Sequence, residues 1–294
     1  MHCPLSRVDN FWPSGLVYSL VKEFTRVRPL GQLPDRASHS LTRAISRLDR
    51  VYALAIVLAL GLTTFLAVGE AWILLLLSGL AALGTDGIVR THPKARFQRL
   101  DDTALYLFVP VLFTLGLGLF LEEVAEGYWT VAVGLLSVIP YWFILRAEYD
   151  SVDRRAESYH STRLVLNLAT YVIAFLFFAT IYDFDLSLLT SAFAAGIVSF
   201  LLAIEVLREE EMDTSRTMFY ALAIGLLLAE TAWATHFLPI DGSAAAVFLL
   251  LALYLMTGMM HNYLGDRLNL RTASEFTAVA LAGLLVVTVS HSYI

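Results

Sequence analysis

The chain has 294 residues, of which 58% are hydrophobic and only 16% charged, with a mean hydropathy of +0.69. An ordinary soluble domain carries about 25% charged residues, so this composition belongs in a bilayer. One cysteine, Cys3, excludes a disulfide framework and a cysteine-built metal site within the chain.

Residues 1–50 read as a polar cytoplasmic leader and residues 51–294 as a transmembrane helical domain. In the leader Val17, Leu20, Val21, Phe24 and Val27 recur at helical spacing opposite Lys22, Glu23 and Arg26, which predicts an amphipathic interfacial or surface helix. After a break at Pro29, Gly31 and Pro34, a second stripe (Leu41, Ala44, Ile45, Leu48) leads into the first apolar run. That run starts near Val51, too late for a cleavable signal peptide, so the first span is expected to act as an uncleaved signal-anchor.

Nine segments then approach the ~20 residues a helix needs to cross a ~30 Å core: 51–68, 71–89, 103–121, 128–146, 163–182, 187–206, 217–237, 244–263 and 273–291. The first two are separated by a tight hairpin with Glu70 at its tip, and Pro110 and Pro140 are expected to kink their helices. The expected fold is therefore all-α, a polytopic bundle of nine spans.

Charge tests this count independently. All 20 Lys and Arg residues fall in the leader or in the even-numbered loops and their flanks, while the odd-numbered loops are acidic (Glu70; Glu122, Glu123, Glu126; Asp183, Asp185; Asp241). The positive-inside bias then puts the N-terminus in the cytoplasm and the C-terminus outside. Trp72, Trp129, Trp142, Tyr128, Tyr141, Tyr182 and Tyr293 fall near predicted span ends, where amphipathic rings prefer to lie.

The seventh span carries a carboxylate, Glu230, ~18 Å from its start near Met218. A charged carboxylate in hydrocarbon costs about 2.5 kcal/mol or more, so it asks for a reason. Trp233 and Phe237 share its face, and Ala221, Gly225, Ala229, Ala232 and His236 form a small-residue strip beside it, the mark of close helix contact. The expectation is that Glu230 points at protein and that Glu230, Trp233 and His236 make an outward-facing polar site for substrate or proton.

A second set, Asp86, Asn167, Glu205, His261, Asn262 and Glu275, gathers toward the cytoplasmic ends of other spans. Arg90, Arg208 and Arg271 stand within a helical turn of Asp86, Glu205 and Glu275, so local ion pairing competes with a shared active site in which His261 would be the acid/base group. Tyr171, Phe175, Phe178 and Tyr182 stripe the fifth span, where plain packing outweighs a lipid or pigment groove. A pair of haem-ligating histidines, His236 and His291, is disfavoured.

Several enzyme signatures are absent. The paired glutamates Glu122-Glu123 and Glu209-Glu210-Glu211 lack an arginine four residues on, and no G-x-S-x-G, H-E-x-x-H or Walker A motif occurs. No motif calls for a cofactor or a metal. The expected partners are the bilayer, anionic lipids at the basic loops and leader, and a possible membrane-protein partner or second copy; no nucleic acid is expected.

The run from Glu230 to Pro239, E-x-x-W-x-x-x-F-L-P, followed by a Gly/Ser turn and an apolar span ending in H-N-Y-L-G-D-R-L, resembles a family of uncharacterised bacterial (Chloroflexi-type) multi-pass membrane proteins. The resemblance covers 160–294 at most. It implies a bacterial inner-membrane location and lends no residue a role. Three functions follow in order: a transporter or permease using Glu230, a non-catalytic scaffold, assembly or sensor component, and an intramembrane enzyme acting on a lipid-linked substrate. An enzyme is the least favoured.

Overall fold

A computed structural model of the chain describes residues 35–95, 103–125, 127–184, 187–208, 214–238, 241–265 and 269–292. The amphipathic helix expected over Val17–Val27, the loop acids Glu126 and Asp185, and the side chains of Tyr128, Asp183, His291 and Tyr293 lie outside the described residues. The chain separates into two units, Met1–Asp49 and Arg50–Ile294; the packing that follows is within the second.

Ten helices follow one another among the described residues. They are α1 (Asp35–Val68), α2 (Ala71–Arg90), α3 (Ala104–Val124), α4 (Tyr128–Leu136), α5 (Val138–Asp150), α6 (Tyr159–Asp183), α7 (Leu188–Leu207), α8 (Thr214–Thr235), α9 (Gly242–Leu264) and α10 (Leu270–Ser292). Each of the nine predicted spans falls on a helix, with α4 and α5 as two halves of the fourth. Among the described residues eight stretches, from Arg50–Val68 to Gly242–Leu264, are long and apolar enough to cross a membrane. The ninth predicted span lies on α10, part of whose side chains fall outside the described residues. The protein is a membrane-spanning helix bundle.

Local chemistry explains the breaks. Between α1 and α2, Gly69 adopts φ 75°, a left-handed conformation that favours glycine, and its N–H donates to the Phe65 carbonyl at 2.7 Å. Glu70 follows in extended backbone as the N-cap of α2, so the tight hairpin forms where expected. The fourth span breaks at Ser137, three residues before Pro140. Pro140 has no N–H for the Leu136 carbonyl and its ring crowds that carbonyl, while Ser137 Oγ turns back to the Gly134 carbonyl at 2.5 Å. Pro110 leaves α3 continuous.

One boundary shifts with consequences. The fourth span was expected to end at 146, but α5 runs on to Asp150. The extra turn draws Glu148 into the helix. It also moves Tyr141 away from the span end, where it was expected to lie at the interface: Tyr141 is fully buried, its hydroxyl donating to Thr114 Oγ1 at 3.2 Å.

The centre of the bundle is α6, which packs against α3, α5, α7 and α9. Leu166, Ile173 and Phe178 of α6 are sealed in the core with Leu202 of α7 and Val109 of α3. The aromatic stripe of the fifth span is part of this packing: Phe175 meets Phe120, and the Tyr171 hydroxyl is 3.1 Å from Thr257 Oγ1 of α9.

The most extensive contact is between α7 and α8. A Cβ on Gly225 would stand 2.8 Å from the Gly196 carbonyl oxygen, and one on Gly196 would stand 2.9 Å from Ala229 Cβ. Glycine at both positions lets the two backbones approach, as the small-residue strip of the seventh span implies.

Candidate functional site

Two places combine charge with apolar surroundings. The first is built where the ends of α3, α5, α6 and α7 meet, at the end of the bundle that carries Arg90, Arg163 and Arg208. Arg163, one turn into α6, reaches α7: its Nη1 is 2.8 Å from Glu205 Oε1 and its Nη2 donates to the Glu205 carbonyl at 2.8 Å. Arg208 Nη2 approaches the same Oε1 at 3.0 Å and stands 3.6 Å from Glu148 Oε2 of α5. The Tyr106 ring of α3 lies under the Arg208 guanidinium at 4.5 Å, a cation–π contact. Glu148 is 0%, Glu205 1% and Arg163 2% exposed.

This cluster sums to zero, two guanidiniums against two carboxylates, but its bonds are unequal. Glu205 is held by both arginines. Glu148 has no hydrogen-bond partner on either carboxylate oxygen among the described residues. Burial works against the Arg208 charge, but Glu205 and Glu148 together outweigh it and hold its pKa above the usual arginine value. Its contacts tie α6 to α7 and bring Arg208 against Glu148 of α5. Sequence reasoning missed Glu148 and Arg163. Glu148 lies two residues beyond the predicted fourth span and Arg163 is the first residue of the predicted fifth, so neither stood out from the charges that flank the spans.

The local pairs of the second predicted set form. Arg90 Nε binds Asp86 Oδ2 at 2.7 Å, with Thr103 Oγ1 donating to Asp86 Oδ1 at 2.5 Å, and Arg271 Nε meets Glu275 Oε1 at 3.1 Å in an exposed pair. Half-buried Asn167 follows Arg163 by one turn, and Asn262 Nδ2 donates to the Gly258 carbonyl at 2.8 Å in the same turns as His261. Asp86, Glu205 and Glu275 are thus each engaged with an arginine one turn away. Among the described residues no group of three His, Cys, Asp or Glu side chains is placed to hold a metal ion.

The second place is the outer face of α7 and α8, where Glu230 lies. The structure corrects the expected direction of this carboxylate: Glu230 is exposed. Helix geometry gives the reason. The buried side chains of α8 are Thr217, Ala221, Ile224, Leu228, Ala232 and Thr235. At 100° per residue Glu230 stands about 180° from Ala221, in the middle of the opposite face. The small-residue strip does pack on α7, but Glu230 projects away from it.

There Glu230 borders an open groove of about 380 Å³ with Trp233, Leu226, Ala229, Leu189 and Phe193. Phe193 is 68% exposed and divides this groove from two neighbouring apolar ones, one over Gly196 and Gly225 and one toward Phe177 and Phe184. Glu230 and Trp233 are therefore brought together. His236, also exposed, is not among the groove residues and lies edge-on to Phe237 with ring centres 6.2 Å apart.

A family model described as a protein of unknown function (DUF5656) matches residues 49–290. The chain belongs to this family. No curated protein and no solved structure matches it. The DUF5656 match begins just before the first span and takes in the buried cluster and the Glu230 groove alike, well upstream of the 160–294 region that carried the resemblance read from sequence.

Proposed function

We infer that this DUF5656 protein is a non-catalytic scaffold or assembly component of the membrane, which uses the α7–α8 face to hold a transmembrane helix of another protein. The observation that carries this reading is the exposed carboxylate of Glu230 in an otherwise apolar groove. Five residues separate it from the end of α8 at Thr235, about 7.5 Å, so it sits inside the hydrocarbon boundary where an unpaired carboxylate is costly.

Charge complementarity defines the occupant as a helix bearing a basic or amide side chain at the depth of Glu230. A second copy inserted the same way up brings no cation to that depth, because all 20 Lys and Arg residues belong to the leader and the opposite end. The groove over Gly196 and Gly225 and the projecting Phe193 ring supply the shape into which a helix packs. A transporter would instead place Glu230 in a cavity within the bundle. In this reading the basic end faces the cytoplasm, with the N-terminus on that side and the C-terminus outside, in a bacterial inner membrane.

The test is a photoreactive residue in place of Phe193, irradiated in intact native membranes. The expected product is a discrete adduct whose crosslinked peptide is a transmembrane segment with Lys, Arg, His, Asn or Gln within one turn of the crosslink. Adducts with lipid alone, or with a second copy alone, would overturn the proposal.

A further inference from the structure

The groove that holds Glu230 has a second feature with its own chemistry, the indole of Trp233. Trp233 follows Glu230 by one helical turn, lines the same groove and is 45% exposed. Every other side chain lining it is Leu, Ala or Phe. Among the described residues neither the Glu230 carboxylate nor the Trp233 ring has a hydrogen bond, ion pair or ring contact. The hydroxyl next along the chain, Thr231 Oγ1, is turned back to the Leu227 carbonyl at 2.7 Å. The groove thus presents one carboxylate and one indole against apolar walls.

We propose, on the basis of the partner-helix reading, that Glu230 and Trp233 together form a cation site, so that the occupying helix carries a lysine or arginine there and not an amide. An amide donates to a carboxylate but leaves its charge uncompensated in hydrocarbon. A cation neutralises that charge and gains a second partner in the indole, the best of the aromatic rings for this purpose and most effective where water is excluded. The apolar walls suit the aliphatic stem of a long basic side chain. Trp233 is then the residue that sets specificity: a carboxylate alone accepts an amide or a cation, whereas the pair favours the cation. The position also defines where the partner carries its charge. Glu230 and Trp233 stand five and two residues from the end of α8 at Thr235, so the basic residue lies about one turn inside the same end of the partner's own span.

The experiment uses the full chain in intact native membranes, with the photoreactive residue in place of Phe193 and, in that background, Glu230→Gln, Trp233→Phe or Trp233→Leu. Both side chains are exposed, so the purified bundle should melt as the wild type does in all three. The expected adduct is a transmembrane peptide with Lys or Arg within one turn of the crosslink. Its yield should fall about tenfold in Glu230→Gln, about fivefold in Trp233→Leu and about twofold in Trp233→Phe, which keeps an aromatic face. Replacing the partner's basic residue by Gln should remove the difference between Glu230 and Glu230→Gln. A transmembrane adduct without Lys or Arg at that depth, a Trp233→Leu yield no lower than that of Trp233→Phe, or a yield unchanged in Glu230→Gln but lowered in Glu230→Leu overturns the cation site and leaves the partner-helix reading standing. Adducts with lipid alone or with a second copy alone overturn both.

Discussion

Arg163 and Glu205 meet across the α6–α7 interface with Nη1 2.8 Å from Oε1, and both side chains are almost completely sealed. Removing one partner leaves a buried charge without its main counter-ion. Arg163→Met is expected to destabilise the bundle by about 3–5 kcal/mol. The double variant Arg163→Met/Glu205→Met leaves Arg208 with Glu148 as a balanced pair, and should recover much of that loss. Unfolding of the four proteins of this cycle in one detergent measures the coupling.

The two carboxylates of the cluster differ in a way that substitution can separate. Glu205 receives two guanidiniums at 2.8 and 3.0 Å, whereas Glu148 has one at 3.6 Å. Glu205→Gln should therefore cost about 3 kcal/mol or more and Glu148→Gln about 1 kcal/mol. Melting temperatures of the two variants in the same micelle give the order directly.

The α7–α8 contact depends on what is missing from it. Gly225→Leu would force a side chain against the Gly196 carbonyl and Phe200, and is expected to cost about 1–3 kcal/mol. Gly79→Leu, where an added Cβ meets nothing within 4 Å, should leave the melting temperature near that of the wild type.

The exposed Lys94–Asp153 link has a pH signature. The Lys94 ammonium holds the Asp153 carboxyl below the ordinary aspartate range, so the link is present above that range and is lost as pH falls through the depressed pKa. A carbon-detected NMR titration should place Asp153 below about 3.9, and Lys94→Ala should raise it toward that value. Added salt should have the same direction of effect, because the pair is exposed.

Much of this was legible in residues close in sequence. The Gly69-Glu70 hairpin follows from span length, and the structure finds Gly69 there with positive φ. The Asp86–Arg90 and Arg271–Glu275 pairs follow from helical spacing. The α7–α8 approach follows from the small residues of the seventh span. What was not legible depends on distant partners. Arg163 looked like a flanking positive-inside charge because nothing nearby announces Glu205, 42 residues away, as its counter-ion. Glu148 looked like a loop acid because the apolar run fades before the helix does. Glu230 was turned the wrong way because the strip of small residues drifts around α8, and only the buried set centred on Leu228 fixes which face is inside.

The most direct measurement is the yield of the Phe193 photo-adduct in native membranes with Glu230 intact and with Glu230→Leu. Loss of one interhelical polar contact worth about 1–2 kcal/mol should lower the yield about 5- to 30-fold, while the melting temperature of the purified bundle stays unchanged because Glu230 is outside its core. An unchanged adduct in Glu230→Leu, or a bundle that loses stability with this substitution, would contradict a partner-binding role for the exposed carboxylate.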